Sequence, residues 1–194
     1  MEIITPMVQS KSNDPIQIIG LGSSGVNITK YLCSQGIQAH YSIVNNSDRT
    51  LPDTFVSVHY SLPKTGHYKN ENWSFKKLRL TKKITSLFKE DRAYIFVLGL
   101  GGTGTVLLYN LIPWLVEKRI KFKIIAGFPS HWEGERRAKT AEVLFSKMYG
   151  HPFFNCFRLD DLTEIKGETT VKEILQKSDE HFYTELTKLN LRNN

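Results

Sequence analysis

Tyr94-Ile-Phe-Val-Leu-Gly-Leu-Gly-Gly-Thr-Gly-Thr105 is the stretch on which the reading of this chain turns. The apolar run from Ala93 to Leu98 predicts a strand buried on both faces. Gly99 to Thr105 then crowds four glycines and two threonines into one turn. A second apolar run, Val106 to Val116, is long enough for a helix. Strand, glycine-rich turn and helix together present bare backbone N–H groups and a helix N-terminus to a phosphate. Glycine lets a ligand approach the backbone closely, and the threonine hydroxyls add donors. A tight connection in any α/β protein would account for the glycines, but it leaves the two threonines without a use. Gly101, Gly102, Thr103, Gly104 and Thr105 are therefore candidate phosphate-binding residues.

The same layout occurs earlier. Ile16 to Ile19 reads as a short strand, followed by Gly20-Leu-Gly-Ser-Ser-Gly25 and a helix from about Val26 to Gln35 closed by Gly36. The spacing is G-x-G-x-x-G between a strand and a helix. It makes Gly20, Gly22, Ser23, Ser24 and Gly25 a second set of phosphate-binding candidates. Ala39 to Val44 reads as the next strand and ends at Asn45, Asn46, Ser47 and Asp48. Polar residues there would stand at the C-terminal edge of a parallel sheet, where nucleotides bind. An Asn/Asp turn explains them equally well. A dinucleotide enzyme needs an acid at this strand end to hold the ribose, and Asp48 stands late for that role. An NAD-type oxidoreductase resting on Gly20, Gly22 and Gly25 is thus a minor alternative, and no proton-transfer pair supports it.

Composition bounds the rest. A chain of 194 residues with 40% hydrophobic content fits one domain, here 15–194, after a flexible lead over 1–14. No apolar run reaches the ~18 residues that cross a membrane. The N-terminal stretch has no basic and apolar regions of a secretory signal, so a cytoplasmic protein is expected. Cys33 and Cys156 make no metal-like or redox pair and suit free thiols in a reducing compartment. The histidines are scattered, so no metal site is expected. Much of the net charge of +7 lies in Lys76, Lys77, Arg79, Lys82, Lys83, Lys89 and Arg92. Leu78, Leu80, Ile84, Leu87 and Phe88 are interleaved at helical spacing, which predicts a solvated basic helix. No aromatic platform or nucleic-acid motif accompanies it, so nucleic acid is not the expected partner.

Further along, Thr54 to Tyr60 reads as a third strand and 62–73 as a loop. The helix after the signature turn, Gly104 to Lys118, contains Pro113, which should kink it. Phe122 to Gly127 and Phe153 to Phe157 read as strands. Between them, Phe128 to Arg137 leads into a helix with Ala138, Ala141, Leu144 and Phe145 inward. Glu133 and Arg137 are four apart and would share a helix face. Val171 to Leu191 is a long final helix with Ile174, Leu175, Phe182, Leu186 and Leu189 at helical spacing. Asp179 interrupts it, and such an isolated acid is ordinarily solvated. The alternation gives an α/β fold: a three-layer, Rossmann-like, mostly parallel sheet of strand order 3-2-1-4-5-6 with a long C-terminal helix.

Taken together, these motifs resemble the nucleotide-binding half of the FtsZ/tubulin family. Ile16-Gln-Ile-Ile-Gly-Leu-Gly-Ser-Ser-Gly-Val-Asn27 resembles the family's first glycine loop, including its terminal asparagine. Asn46-Ser47-Asp48 resembles the family's Asn-Thr-Asp, and Gly99 to Thr105 its signature loop. Pro129 to Arg137 resembles a Pro-Phe-x-Phe-Glu-Gly-x-x-Arg segment, in which proline and glutamate serve the ribose and arginine lies near the sugar and base. Leu159-Asp160-Asp161-Leu162 falls on Asn-Asp-Arg-Leu, and Leu175-Gln-Lys-Ser-Asp179 on Phe-x-x-Ala-Asp, whose aspartate reads guanine. Three departures are visible. The signature loop is one glycine short, with Val106 in place of a glycine; the guanine-contacting asparagine is Leu159; and 61–72 has no clear third phosphate loop.

The resemblance implies a ligand, GTP or GDP, with Mg2+ as the ion that accompanies its phosphates. It assigns nucleotide contacts to the glycine-loop candidates above and to Asn27, Asn46, Pro129, Glu133, Arg137, Leu175 and Asp179. The family's activation loop and second domain follow the long helix and have no counterpart before Asn194. The expectation is weak or no intrinsic hydrolysis. A full-length FtsZ-like subunit, or a second copy meeting the nucleotide face, is the expected partner, so the protein would modulate or cap a filament in the cytoplasm. The other reading is a nucleotide-free pseudo-domain that serves as an interaction module.

Overall fold

The computed structural model describes residues 16–46, 52–60, 80–89, 92–162 and 170–191. The lead 1–14, the loop 62–73, Ser47 and Asp48 lie outside the described residues. Six strands form the sheet: β1 (Ile16–Leu21), β2 (His40–Asn45), β3 (Phe55–His59), β4 (Ala93–Gly99), β5 (Phe122–Phe128) and β6 (Phe154–Arg158). Their order is β3-β2-β1-β4-β5-β6, as expected, and every neighbouring pair is parallel. The sequence suggested a mostly parallel sheet; among the described strands it is wholly so.

Side-chain alternation divides the core in two. On one face Ile18, Ile43, Ile95, Val97 and Ile125 lie under Val26 and Leu32 of α1 (Gly22–Ser34), together with Phe182 and Leu186 of the C-terminal helix (Val171–Leu191). On the other face Ile19, Leu21, Phe96, Leu98, Ile124 and Ala126 lie under α3 (Thr103–Glu117) and α4 (Glu135–Met148), through Leu107, Leu111, Leu115, Ala141 and Leu144. Each large side chain withdrawn from water contributes about 1.5–3 kcal/mol. The strands at the middle of the sheet are therefore apolar on both faces, and the edge strand β3 has exposed Val56, Ser57 and His59.

Helix ends depart from the sequence reading in two places. First, α1 begins at Gly22, inside the glycine loop, rather than near Val26. It closes as expected at Gly36, whose φ is +77°. The Gly36 N–H donates to the Cys33 carbonyl at 3.0 Å and the Ile37 N–H to the Leu32 carbonyl at 3.4 Å, the paired bonds of a Schellman ending. Second, the expected basic helix is one turn, α2 (Lys82–Thr85), within the described part of that segment. The Tyr94 hydroxyl accepts the Lys89 N–H and donates to the Leu87 carbonyl, which ties the chain to β4 instead of letting it wind on. Ile84 is fully buried, while Lys82, Lys83 and Lys89 face solvent. α3 runs through Pro113, and the C-terminal helix, hereafter α5, spans Val171–Leu191 as read.

Candidate anion-binding site

From β1 the chain crosses to β2 on one side, and from β4 it crosses to β5 on the other, so the C-terminal ends of β1 and β4 flank the switch point. A cavity of about 400 Å³ opens there. Gly22, Ser23 and Ser24 line it from the start of α1, and Asn46 from the end of β2. Gly99, Gly101, Gly102, Thr103 and Gly104 line it from the signature turn. Arg136, Arg137 and Thr140 of α4 complete the wall. No carboxylate is among these lining residues.

Two helices begin at this cavity. The residue before α1 is Leu21 and the residue before α3 is Gly102; neither supplies a side-chain cap, and neither first turn contains an acid. The first N–H groups of each helix lack an intrahelical acceptor, and each N-terminus carries roughly half a positive charge. An acid or a capping hydroxyl would ordinarily occupy such ends. Here both ends face the cavity, whose wall includes hydroxyl, amide and guanidinium side chains.

The glycines sort into packing and lining groups. A Cβ on Gly20 would lie 2.3 Å from the Thr29 Oγ1 and 2.4 Å from the Gly25 carbonyl oxygen. One on Gly25 would lie 2.8 Å from the Val97 carbonyl oxygen. These two glycines let α1 press onto the sheet and do not line the cavity. Gly22 has φ of +70° and a virtual Cβ 2.9 Å from the Gly104 nitrogen; that of Gly104 falls 2.5 Å from the Leu21 carbonyl oxygen. The two glycine loops thus meet backbone to backbone. Gly102 is different: its φ of −120° is open to any residue, and a Cβ there meets nothing within 4 Å.

The hydroxyls divide likewise. Ser24 Oγ accepts the Gly99 N–H at 2.9 Å, and the fully buried Thr105 accepts the Gly101 N–H at 2.8 Å through its Oγ1. Both brace the turn, and Thr105 does not line the cavity. Ser23 and Thr103 stand on the wall.

The segment after β5 is held by its own charges. Glu133 ends a 3-10 turn, His131–Glu133, accepts the Ser130 N–H at 3.2 Å and pairs with Arg137 at 2.5 Å. Glu133 and Pro129 therefore stand outside the cavity lining, and Glu133 acts there through Arg137. The Nε of Arg137 is buried with no hydrogen-bond partner among the described residues. The turn is fastened to the 3-10 turn Leu159–Leu162 by Asp160, which accepts the Ser130 hydroxyl and the His131 N–H. Burial pushes the Asp160 carboxyl up, but the bonds from Ser130 and His131 outweigh it and hold the group below its usual range.

Asn27, Leu175 and Asp179 also lie outside the cavity lining. Asn27 is exposed on α1. Leu175 is 51% exposed, not part of the inward stripe to which its spacing assigned it. Asp179 is not the solvated acid that a lone helix carboxylate suggests. Burial, then the neighbouring Glu180 charge, pushes it from 3.8 up to about 6. No hydrogen bond to it is formed by the described residues. Tyr31 of α1 lies near enough that its own pKa is raised, by burial first and then by Glu180 and Asp179. Leu159 is buried, and a Cβ placed on Gly127 would lie 3.7 Å from its Cδ2. Sequence reasoning missed Gly99, Arg136 and Thr140 as cavity residues. Arg136 and Thr140 are one turn apart, the Thr140 hydroxyl bonding the Arg136 carbonyl at 2.9 Å, so helical spacing from Arg136 could have found Thr140. Among the described residues no cluster of His, Cys, Asp or Glu is fit to hold a metal ion, and no helix is long and apolar enough to cross a membrane.

No family model matches the chain, and no curated protein matches it in sequence. Solved structures do match in fold. CetZ2 from Haloferax volcanii, a GTPγS-bound protofilament, superimposes with a TM-score of 0.63 at 14% identity, over 91% of this chain and 58% of that one. The phage tubulin PhuZ with GDP gives 0.59 at 15%, over 92% of this chain and 56% of that one. A GTPγS-form protofilament of TubZ from Bacillus thuringiensis serovar israelensis gives 0.57 at 13%, over 92% and 56%. This chain thus spans little more than half the length of these structures. At such identities the likeness is one of fold, and the fold is that of tubulin-like proteins.

Proposed function

We propose that this tubulin-like domain binds GTP or GDP, holding the phosphates between the starts of α1 and α3 and reading the base with Asp179. The observation that carries the proposal is the composition of one cavity: two uncapped helix N-termini, two arginines and, among the described residues, no carboxylate. Such a donor set suits a multiply charged anion. Gly102 agrees with it, because its missing Cβ has no protein neighbour to explain it and an incoming phosphate would use the space. The backbone N–H groups of Ser23, Ser24 and Gly101 to Thr103, the Ser23 and Thr103 hydroxyls and Arg137 are the groups that would hold the phosphates. Mg2+ would arrive with them, since the described lining residues offer it no carboxylate.

Asp179 supplies the choice of base. A carboxylate accepts from both N1–H and N2–H₂ of guanine, and adenine presents no such pair. A half-buried acid with no hydrogen-bond partner among the described residues is in the right chemical condition to do this. Hydrolysis is a separate matter. Phosphoryl transfer to water needs a positioned nucleophile and charge stabilisation. Among the described residues the cavity offers stabilisation and no acid or base to position water, so this chain alone should turn GTP over slowly. Because the matched structures include protofilaments bound to GTPγS, the nucleotide face is also the proposed meeting place with a second subunit, through which the protein would cap or modulate a filament.

Direct binding of fluorescent GTP, ATP and NAD tests the reading. GTP and GDP are expected to bind, ATP more weakly and NAD not at all. Equal affinity for ATP and GTP would remove the role given to Asp179. Absence of binding by any of the three would favour the second reading, a pseudo-domain that acts by contact. Leu159 supports that reading: it is buried where the family places a guanine-contacting asparagine.

A further inference from the structure

Arg137 lines the cavity and Glu133 does not. The stem of Arg137 is fixed where the signature turn bends. A Cβ on Gly101 would lie 2.6 Å from the Arg137 carbonyl oxygen and 3.0 Å from its Cβ. The head of the side chain is held elsewhere. Arg137 Nη1 pairs with the Glu133 carboxylate at 2.5 Å, and the Glu133 side chain is only 11% exposed against 42% for Arg137. Glu133 has little freedom to follow a moving partner. It closes a capping box: its carboxylate accepts the Ser130 N–H at 3.2 Å, and the Ser130 side chain accepts the Glu133 N–H. The Ser130 hydroxyl in turn donates to Asp160. The pairing leaves one donor unserved. Arg137 Nε is buried with no hydrogen-bond partner among the described residues, which is an unfavourable condition for an N–H.

We propose that Glu133 is a specificity-determining residue of the anion site, acting by holding the Arg137 guanidinium in a neutral pair until a highly charged ligand draws it away. The proposal rests on the reading of the cavity as an anion site and adds what limits that site. Paired with a nearly buried carboxylate, Arg137 presents little net charge to the cavity. A phosphate that takes the guanidinium leaves that carboxylate nearly buried without its cation, which is costly. The attraction that offsets this cost grows with the charge of the ligand. The unserved Nε–H favours the exchange, because a phosphate can accept from Nε and a terminal nitrogen together. Glu133 therefore raises the charge that a ligand must bring. The site is closed to stray monophosphate and open to a nucleotide polyphosphate, which also gains contacts through its base.

The test measures inorganic tripolyphosphate, GTP and GDP by calorimetry on the parent protein, Glu133→Gln, Arg137→Gln and the double variant. Glutamine keeps an oxygen for the Ser130 N–H, so the turn is retained, and thermal melting checks that folding is intact. Glu133→Gln should bind tripolyphosphate and GTP about fivefold more tightly than the parent. Arg137→Gln should bind both more weakly, and adding Glu133→Gln to it should restore nothing, since the carboxylate acts through the guanidinium. An unchanged affinity in Glu133→Gln, or a gain that survives without Arg137, would overturn the proposal. Weaker GTP binding beside unchanged tripolyphosphate binding would overturn it too, by placing Glu133 on the sugar. A measurement on the unmutated protein is independent of how the variants fold. The Arg137 Nε–H resonance should shift as tripolyphosphate binds, and a resonance that stays in place while it binds counts against the proposal. Tripolyphosphate also separates this inference from the nucleotide reading. If it binds with the expected dependence on Glu133, and neither GTP nor GDP binds at all, the restraint stands and the base reading fails. If no variant binds any of the three, both fail.

Discussion

At the scale of one residue, the role proposed for Asp179 sets stability against binding. Its folded pKa, about 6, lies above the unfolded value of 3.8. The folded protein therefore holds this proton more tightly than the unfolded chain does. The stabilisation is full below 3.8 and is lost as pH rises through about 6. At neutral pH the ionised carboxylate works against folding, by about 1 kcal/mol once solvent screening of a half-exposed group is allowed for. Asp179→Asn should raise the melting temperature at pH 7 and erase the preference for GTP over ATP, with both read on one preparation. In the parent, GTP affinity should decline as pH falls below about 6, because the protonated acid no longer accepts two N–H donors. A variant that melts higher and still prefers GTP would show that the acid is not the base reader. The burial of Asp179 was not legible in the sequence. It follows from how Phe182 and Leu186 seat α5 against α1, which no helical spacing reports.

At the scale of the element, the glycine loops were legible and the division of labour within them was not. G-x-G-x-x-G and the signature turn announce strand, turn and helix through composition alone. They do not say that Gly20 and Gly25 serve helix-to-sheet packing while Gly102 faces open space. Gly20→Ala should lower stability by about 1–3 kcal/mol, since its Cβ would overlap the Thr29 hydroxyl and the Gly25 carbonyl. Gly102→Val should leave the melting temperature nearly unchanged and abolish GTP binding, because its branched side chain would fill the approach to the backbone. Thermal melts beside a binding titration decide both. Normal binding by Gly102→Val would mean that the phosphates lie elsewhere. The basic segment shows the opposite limit. Its 3.6-residue spacing of Leu80, Ile84, Leu87 and Phe88 was real, and all four pack on the core. Only one turn winds among the described residues, because a hydroxyl contributed by β4 holds the chain at Lys89.

For the whole molecule, the six-strand order was expected from the doubly wound layout with glycine loops after the first and fourth strands, although no helix is described between β2 and β3. What the order creates is a crevice where two helix starts converge from opposite layers, and what fills that crevice decides the chemistry. Its described lining residues include two arginines and no carboxylate, so on the proposed reading it would hold a nucleotide without activating water. Purified protein saturated with GTP should therefore release phosphate at close to the uncatalysed rate, and the rate per molecule should not change with protein concentration. A rate that climbs steeply with concentration would reveal that a second copy supplies the missing group across the nucleotide face. Adding the protein in excess to filaments of a tubulin-like GTPase tests the same face from the other side. Polymer mass should fall or filaments shorten, and Gly102→Val should have no such effect if docking requires bound nucleotide. Polymer mass and turnover that stay constant with the parent protein would exclude filament capping and leave a stand-alone nucleotide-binding domain.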